Sequence, residues 1–241
     1  KKFGYDTRVK TVKPSCGHLG IYIGLKEDAE SLQLPRTNYW VYPDFEHDKN
    51  FEAFFSGKSS KMPVVYISFP SAKDPTFTKR YPGRATIEIV APVPAGEFDP
   101  WHDKPWGKRG EDYEALKERY AQQLLEVLYE KVPQVKGKID YYEVSTPLST
   151  NYFCAYQYGE VYGLNHDPQR FSQSWLQVQT EIPGLYLTGQ DVLSCGVVGA
   201  MMAGCVTSIK VLGLSGLKLA YELFGPKKAG IFTVPVEMTV R

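Results

Sequence analysis

What the sequence lacks narrows the field first. Its four cysteines, Cys16, Cys154, Cys195 and Cys205, form no CxxC pair and are too few for a dense disulfide framework. They are expected to be buried free thiols in a reducing compartment. The four histidines, His18, His47, His102 and His166, form no cluster, so no metal site is expected. Neither charge predominates: 28 Lys and Arg face 27 Asp and Glu, for a net charge of +1. A dedicated nucleic-acid binder would carry a basic excess. The start is locally basic, with Lys1, Lys2, Arg8, Lys10 and Lys13 against Asp6, and reads as a solvated strand edge ahead of a contact with anionic lipid. No charged-plus-apolar leader is visible. The one long apolar run, 197–214, is broken by Thr207, Ser208 and Lys210 and contains glycines. It reads as a buried helix, not a membrane span. There is no internal repeat, no low-complexity linker and no GxGxxG loop.

What is present suits a packed core. Hydrophobic residues make up 43% of the chain and aromatics 14%, mostly Tyr, a side chain with an apolar body and a polar tip. Four runs rich in Val, Ile and Tyr, at 19–25, 38–42, 64–69 and 85–91, read as strands, the last three stopped by Pro43, Pro70 and Pro92. A Pro- and Gly-rich loop follows Pro94 and holds Trp101 and Trp106. Those two rings suit either a loop anchor or a membrane interface. Glu111 and Asp112 then open a helix, where acids complement the N-terminal dipole. Tyr113, Leu116, Tyr120, Leu124 and Leu128 form one apolar stripe along it, and Pro133 ends it. Residues 139–144 read as a further strand.

The tone changes near 182–184. A short apolar strand is expected after Gly184, then a turn through Thr188, Gly189, Gln190 and Asp191, then an apolar helix starting near Gly196. A helix start offers unpaired N–H groups and a partial positive charge. Gly196 and Gly199 lack a Cβ, so a flat ligand can approach the backbone. Asp191 can accept hydrogen bonds from ribose or ribityl hydroxyls. Spacing alone fits equally well a glycine-rich turn that merely packs.

The run from Tyr186 to Ala200, with Leu-Thr-Gly-Gln-Asp followed by Cys-Gly-Val-Val-Gly-Ala, resembles the last flavin-contacting motif of the carotenoid desaturase and amine oxidase superfamily. Further stretches are similar to its retinol saturase and carotenoid desaturase/isomerase members, in the same order: residues 69–76, 81–84, 108–113 and 146–151, then Tyr162-Gly163 with His166-Asp167. The resemblance implies an α/β fold: an α+β substrate domain, a mixed sheet with helices, over 1–181, and over 182–241 the C-terminal return into a Rossmann-type FAD domain. The N-terminal dinucleotide-binding half of such an enzyme is absent from these residues, and such a piece alone is expected to be inactive.

Carried over residue by residue, the flavin contacts fall on Gly189, Gln190, Asp191, Gly196, Val197, Val198, Gly199 and Ala200. The aromatics Tyr152, Phe153, Tyr156 and Tyr158 are candidates for an apolar passage, and Tyr162 or His166 for a proton donor. The implied activity is saturation of a carbon–carbon double bond of a retinoid or polyene, with FAD as cofactor and NAD(P)H as a reductant. Flavin-dependent polyene isomerisation or desaturation is an alternative, and so is a non-catalytic lipid-binding or interaction piece. Family members act on lipid-soluble substrates, which implies association with a membrane, the endoplasmic reticulum, by peripheral contact.

Overall fold

The computed structural model describes residues 4–225, so residues 1–3, with Lys1 and Lys2 of the basic stretch, and 226–241 lie outside the described residues. The chain's own contacts divide it into two compact units: Pro14–Asn165, and the residues up to Lys13 together with those from His166 onward. The division thus falls ahead of the change of tone at 182–184 and takes the first thirteen residues with the second unit.

The unit Pro14–Asn165 is built on a five-stranded sheet of order β2-β3-β4-β1-β5. Its strands are β1 (Gly17–Leu25), β2 (Tyr39–Val41), β3 (Val65–Ser68), β4 (Ala85–Val93) and β5 (Ile139–Ser145). Every pairing is antiparallel, so this is not the mixed sheet expected. Side chains alternate between the faces of a strand, and β4 follows this strictly, with Ala85, Ile87, Ile89, Ala91 and Val93 buried and the residues between them half-buried. The register sets Ile21 opposite Ile89 and Ile23 opposite Ile87, and Ile67 opposite Ile89 on the other side. Each such side chain contributes about 1.5–3 kcal/mol on full burial.

β4 does not stop at Pro92 but runs through it to Val93. β3 ends its pairing at Tyr66 opposite Val90, so on that side Pro92 lies past the neighbouring strand, where a missing N–H is tolerated.

Helix α1 (His47–Phe55) precedes β3, and α2 (Glu111–Lys131) follows β4. The α2 stripe buries Tyr113, Tyr120, Ala121, Leu124, Leu125 and Leu128 on the core face, against β3 and β5. Leu116 is only partly buried. Trp101, in a 3-10 segment, packs on this core with its ring tilted 53° to that of Tyr113, which makes it a loop anchor. Helix α3 (Pro147–Cys154) is opened by a capping box: Thr146 Oγ1 accepts from Leu148 N at 3.2 Å, and Thr146 N donates to Ser149 Oγ at 3.1 Å.

In the other unit the basic stretch is not a strand edge. Tyr5–Arg8 is one helical turn, and Arg8 pairs with Glu181 at 2.7 Å. Helices α4 (Gly196–Leu212) and α5 (Leu214–Phe224) follow each other across Gly213. They touch closely where a Cβ on Gly216 would lie 2.6 Å from Ile209 Cα.

Three sequence expectations are corrected in this unit and at the cysteines. Residues 185–187 form no strand: Tyr186 makes one isolated bridge, to Gln179, and no neighbouring strand extends it. The apolar helix is not buried. Only Ala203 of α4 is buried, and Val197 is 87% exposed. An apolar helix is covered only where another layer packs on it, and among the described residues α4 has α5 as its helical neighbour. The four cysteines are free but none is fully buried, with Cys154 and Cys195 exposed.

Candidate functional site

Two places hold the residues that the sequence singles out, one in each unit. In the unit from His166 onward, the segment 187–200 turns tightly. Gly189 has φ +95° and Gly196 φ +83°, which β-carbon-bearing residues rarely adopt. Val192 N donates to Gly189 O at 3.2 Å. Cys195 is the N-cap of α4 and makes no side-chain cap, while Gln190 Oε1 accepts from Gly196 N at 3.5 Å. Gly199 lies hard against the turn, because a Cβ there would overlap the Ser194 carbonyl oxygen and lie 2.6 Å from Ser194 C. Gln190 and Asp191 both take part in contacts within the fold. Val197 and Val198 at the helix start are exposed, and the N–H groups of this first turn have no intrahelical acceptor. The helix start is thus shaped by two left-handed glycines, with exposed Val197 and Val198 beside it and the Gln190 side chain on its first N–H.

One residue that spacing could not find holds this segment. Arg170 is 2% exposed, and its Nη2 donates to Gln190 O at 2.9 Å. Asp167 caps the turn that carries it, accepting from Arg170 N at 2.8 Å. His166 lies beside it, Nε2 to Arg170 Nη2 at 3.4 Å, with its ring edge-on to Phe171. The partner of Arg170 is twenty residues along the chain, so no local pattern announces it.

Replacing Arg170 with Met keeps the volume and removes the strut. A hydrogen bond from a charged group contributes about 1.5–3 kcal/mol, partly offset by relieving a buried charge. The expected result is faster amide hydrogen exchange at 189–196 and a modest fall in melting temperature. Unchanged exchange at those amides would show that Arg170 does not hold the turn.

In the unit Pro14–Asn165 the candidate aromatics do not form one cluster. Tyr152 stacks on Trp106 with ring centroids 5.2 Å apart, and Phe153 meets the same indole edge-on at 4.8 Å. Tyr152 and Tyr156 line a cavity of about 780 Å³ with Trp106 and Arg109. Tyr158 is exposed, its N–H held by Glu160 at 2.8 Å.

Tyr162 lines a different cavity, of about 520 Å³, on the sheet face opposite the helix-covered core. Its walls include His18 from β1, Trp40 from β2, Tyr66 from β3 and Val90 from β4, with Phe51 of α1. The register explains the assembly: Trp40 stands opposite Tyr66, Tyr66 opposite Val90, and His18 opposite Pro92. His18 Nδ1 is buried with no hydrogen-bond partner, and burial pushes the imidazole below its ordinary pKa, so it is neutral at pH 7. The Cys16 thiol beside it is pushed up by the same cause. The signal for this cavity was available in the alternation of β1, which puts His18 and Tyr22 on the face away from Leu19 and Ile21. Among the described residues no group of His, Cys, Asp and Glu could hold a metal, and no helix is long and apolar enough to cross a membrane.

No protein-family model matches the chain. It is 39% identical, over 83% of its length, to an all-trans-retinol 13,14-reductase of Rattus norvegicus. It is 29% identical over 85% to an inactive all-trans-retinol 13,14-reductase of Danio rerio. A phytoene desaturase (neurosporene-forming) of Cereibacter sphaeroides is 27% identical over 86%. The chain spans about a third of the length of these relatives, 34–37%. Over that stretch the chain is similar to the all-trans-retinol 13,14-reductases and, more distantly, to a phytoene desaturase.

Proposed function

We propose that the full-length protein is an FAD-dependent oxidoreductase that saturates one carbon–carbon double bond of a retinoid or related polyene. The observation that carries this reading is the similarity, over 83% of the chain, to a reductase named for retinol. The cavity beside His18 supports it. A polyene is a long apolar body with few hydrogen-bonding groups, and this cavity offers aromatic and aliphatic walls with few polar groups. A neutral imidazole both donates and accepts, which suits the single hydroxyl of a retinol.

Bound FAD would supply the hydride chemistry, with NAD(P)H as reductant. The chain's part is to hold and to orient. Gly189, Gln190, Asp191 and residues 196–200 would hold the flavin, the open start of α4 lying against its electron-rich edge. Trp40, Tyr66 and Phe51 would exclude water from the polyene. Of the two proton-donor candidates, Tyr162 is the one on the wall of the apolar cavity, whereas His166 stands beside Arg170 and Phe171. In this reading the Pro14–Asn165 unit is the substrate domain and the α4 segment belongs to the flavin domain. Peripheral contact with the endoplasmic reticulum membrane would give access to a lipid-soluble substrate.

A visible spectrum of the purified full-length protein tests the cofactor. Near-stoichiometric flavin bands are expected in the parent, with a large loss in Asp191→Ala. Incubation of the reduced protein with all-trans-retinol tests the reaction by product mass. A gain of two hydrogens supports saturation, and an isomer of unchanged mass would move the reading to isomerisation. A desaturase among the relatives makes loss of hydrogen from a saturated substrate the reverse outcome to look for. A colourless protein that cannot take up FAD would leave a lipid-binding module, in keeping with the relative named inactive.

A further inference from the structure

We propose that the cavity of about 780 Å³ between Trp106 and α3 is a second ligand site, which takes an oxyanion, carboxylate or phosphate, carried on a flat ring. The observation behind it is Arg109. This residue is 6% exposed, and its Nε has no hydrogen-bond partner. Among the described residues no carboxylate pairs with its guanidinium. A buried charge is normally paired, because desolvation is costly and only a partner offsets it. What Arg109 has instead is aromatic: its guanidinium carbon lies 5.5 Å from the centre of the Trp106 ring and 5.2 Å from that of Tyr113. Two ring faces hold the fork in place and leave its hydrogen-bonding capacity unused.

The surroundings specify the ligand. Lys104 and His102 join Arg109 in the lining, and no Asp or Glu does. Asp103, the nearest acid in sequence, is exposed and pairs with His102 at 3.1 Å. Lys104 Nζ reaches the Arg109 carbonyl at 3.4 Å, which keeps the second cation beside Arg109. A guanidinium fork matches an oxyanion two bonds at a time. The stacked Trp106 and Tyr152 rings, with Tyr156, offer a flat apolar wall, so the body behind the anion is planar. Asn151 adds a buried side-chain oxygen without a partner, which suits a ligand N–H or O–H. The site stands on these residues whether or not the protein takes up FAD.

The test is a titration of the full-length protein with phenyl phosphate and with benzoate, read by tryptophan fluorescence, with phenol as the uncharged control and inorganic phosphate as the ring-free one. A saturable change is expected with phenyl phosphate or benzoate, lost in Trp106→Phe, and absent with phenol. Inorganic phosphate is expected to bind more weakly. Comparing the two ring anions tells a phosphate site from a carboxylate site. Arg109→Gln is expected to weaken binding at least tenfold. Lys104→Gln, an exposed change that leaves the core alone, is expected to weaken it about threefold, in step with screening of a single charge. The proposal is overturned if no anion saturates the signal at millimolar concentration, the result expected if an acid elsewhere in the full-length protein already pairs with Arg109. It is equally overturned if both charge variants bind like the parent.

Discussion

Changing Gly199 to alanine is expected to cost the full-length protein its flavin, with at least a tenfold loss of FAD affinity. By helix propensity alone the change is favourable, since alanine in a helix interior is about 1 kcal/mol better than glycine. Geometry decides the other way. The Cβ would overlap the Ser194 carbonyl and lie 2.6 Å from its carbon, and neither atom belongs to a flexible side chain. The turn 194–195 would have to move off the first turn of α4, and with it the backbone on which FAD is proposed to lie. The control is on the same helix. A Cβ on Gly204 meets nothing within 4 Å, so Gly204→Ala is expected to leave flavin occupancy unchanged and to raise stability by about 0.5–1 kcal/mol. Flavin-to-protein ratio by absorbance reads both. Equal occupancy in the two variants would mean that the close approach at Ser194 has no part in holding the cofactor.

The sheet and the long helix were legible because their cause is local and periodic. Alternation in 85–91 and the three- and four-residue steps from Tyr113 to Leu128 are direct consequences of how strands and helices present side chains, and β4 and α2 follow them. The expectations that failed depended on what packs where. Residues 185–187 have the composition of a strand, but a strand exists only with a partner, and Tyr186 finds a single bridge. The run 197–214 has the composition of a buried helix, but burial is a property of the neighbours, and among the described residues α4 buries only Ala203.

The site was legible in the same uneven way. The turn at Gly189 and the helix start at Gly196 sit where the glycines put them. The strut from Arg170 and the His18 cavity were not foreseen, since each is made by residues far apart in sequence: twenty positions for Arg170 and Gln190, and four strands for the cavity wall. The stretch 146–151, singled out by resemblance, turns out to be the capping box of α3. Tyr113 of α2 shares in it, with its hydroxyl 2.7 Å from Thr146 Oγ1. A sequence motif can therefore mark a joint of the scaffold as readily as a ligand contact.

That joint carries the second large expected effect, at Gly159. Pro147, the first residue of α3, is clasped between two glycines. A Cβ on Gly17 would lie 2.8 Å from its Cγ, and a Cβ on Gly159 would overlap its Cβ and lie 2.9 Å from its Cα and its carbonyl oxygen. Gly159 also has φ +67°. Alanine there meets two penalties, about 1–2 kcal/mol for the left-handed backbone and about 1–3 kcal/mol for overpacking against atoms that cannot yield. A less flexible unfolded chain returns under about 1 kcal/mol. The net loss of about 2–4 kcal/mol corresponds, at roughly 2–4 °C per kcal/mol for a chain of this size, to a fall in melting temperature on the order of 10 °C. Gly83 separates the two causes. It has the same φ of +67° with nothing within 4 Å of its would-be Cβ, so Gly83→Ala should show the backbone penalty alone. If the two alanine variants melt together, the clasp around Pro147 contributes nothing and backbone strain explains both. If Gly159→Ala falls well below Gly83→Ala, close packing of the loop after α3 against Pro147 is what holds that loop on the start of the helix.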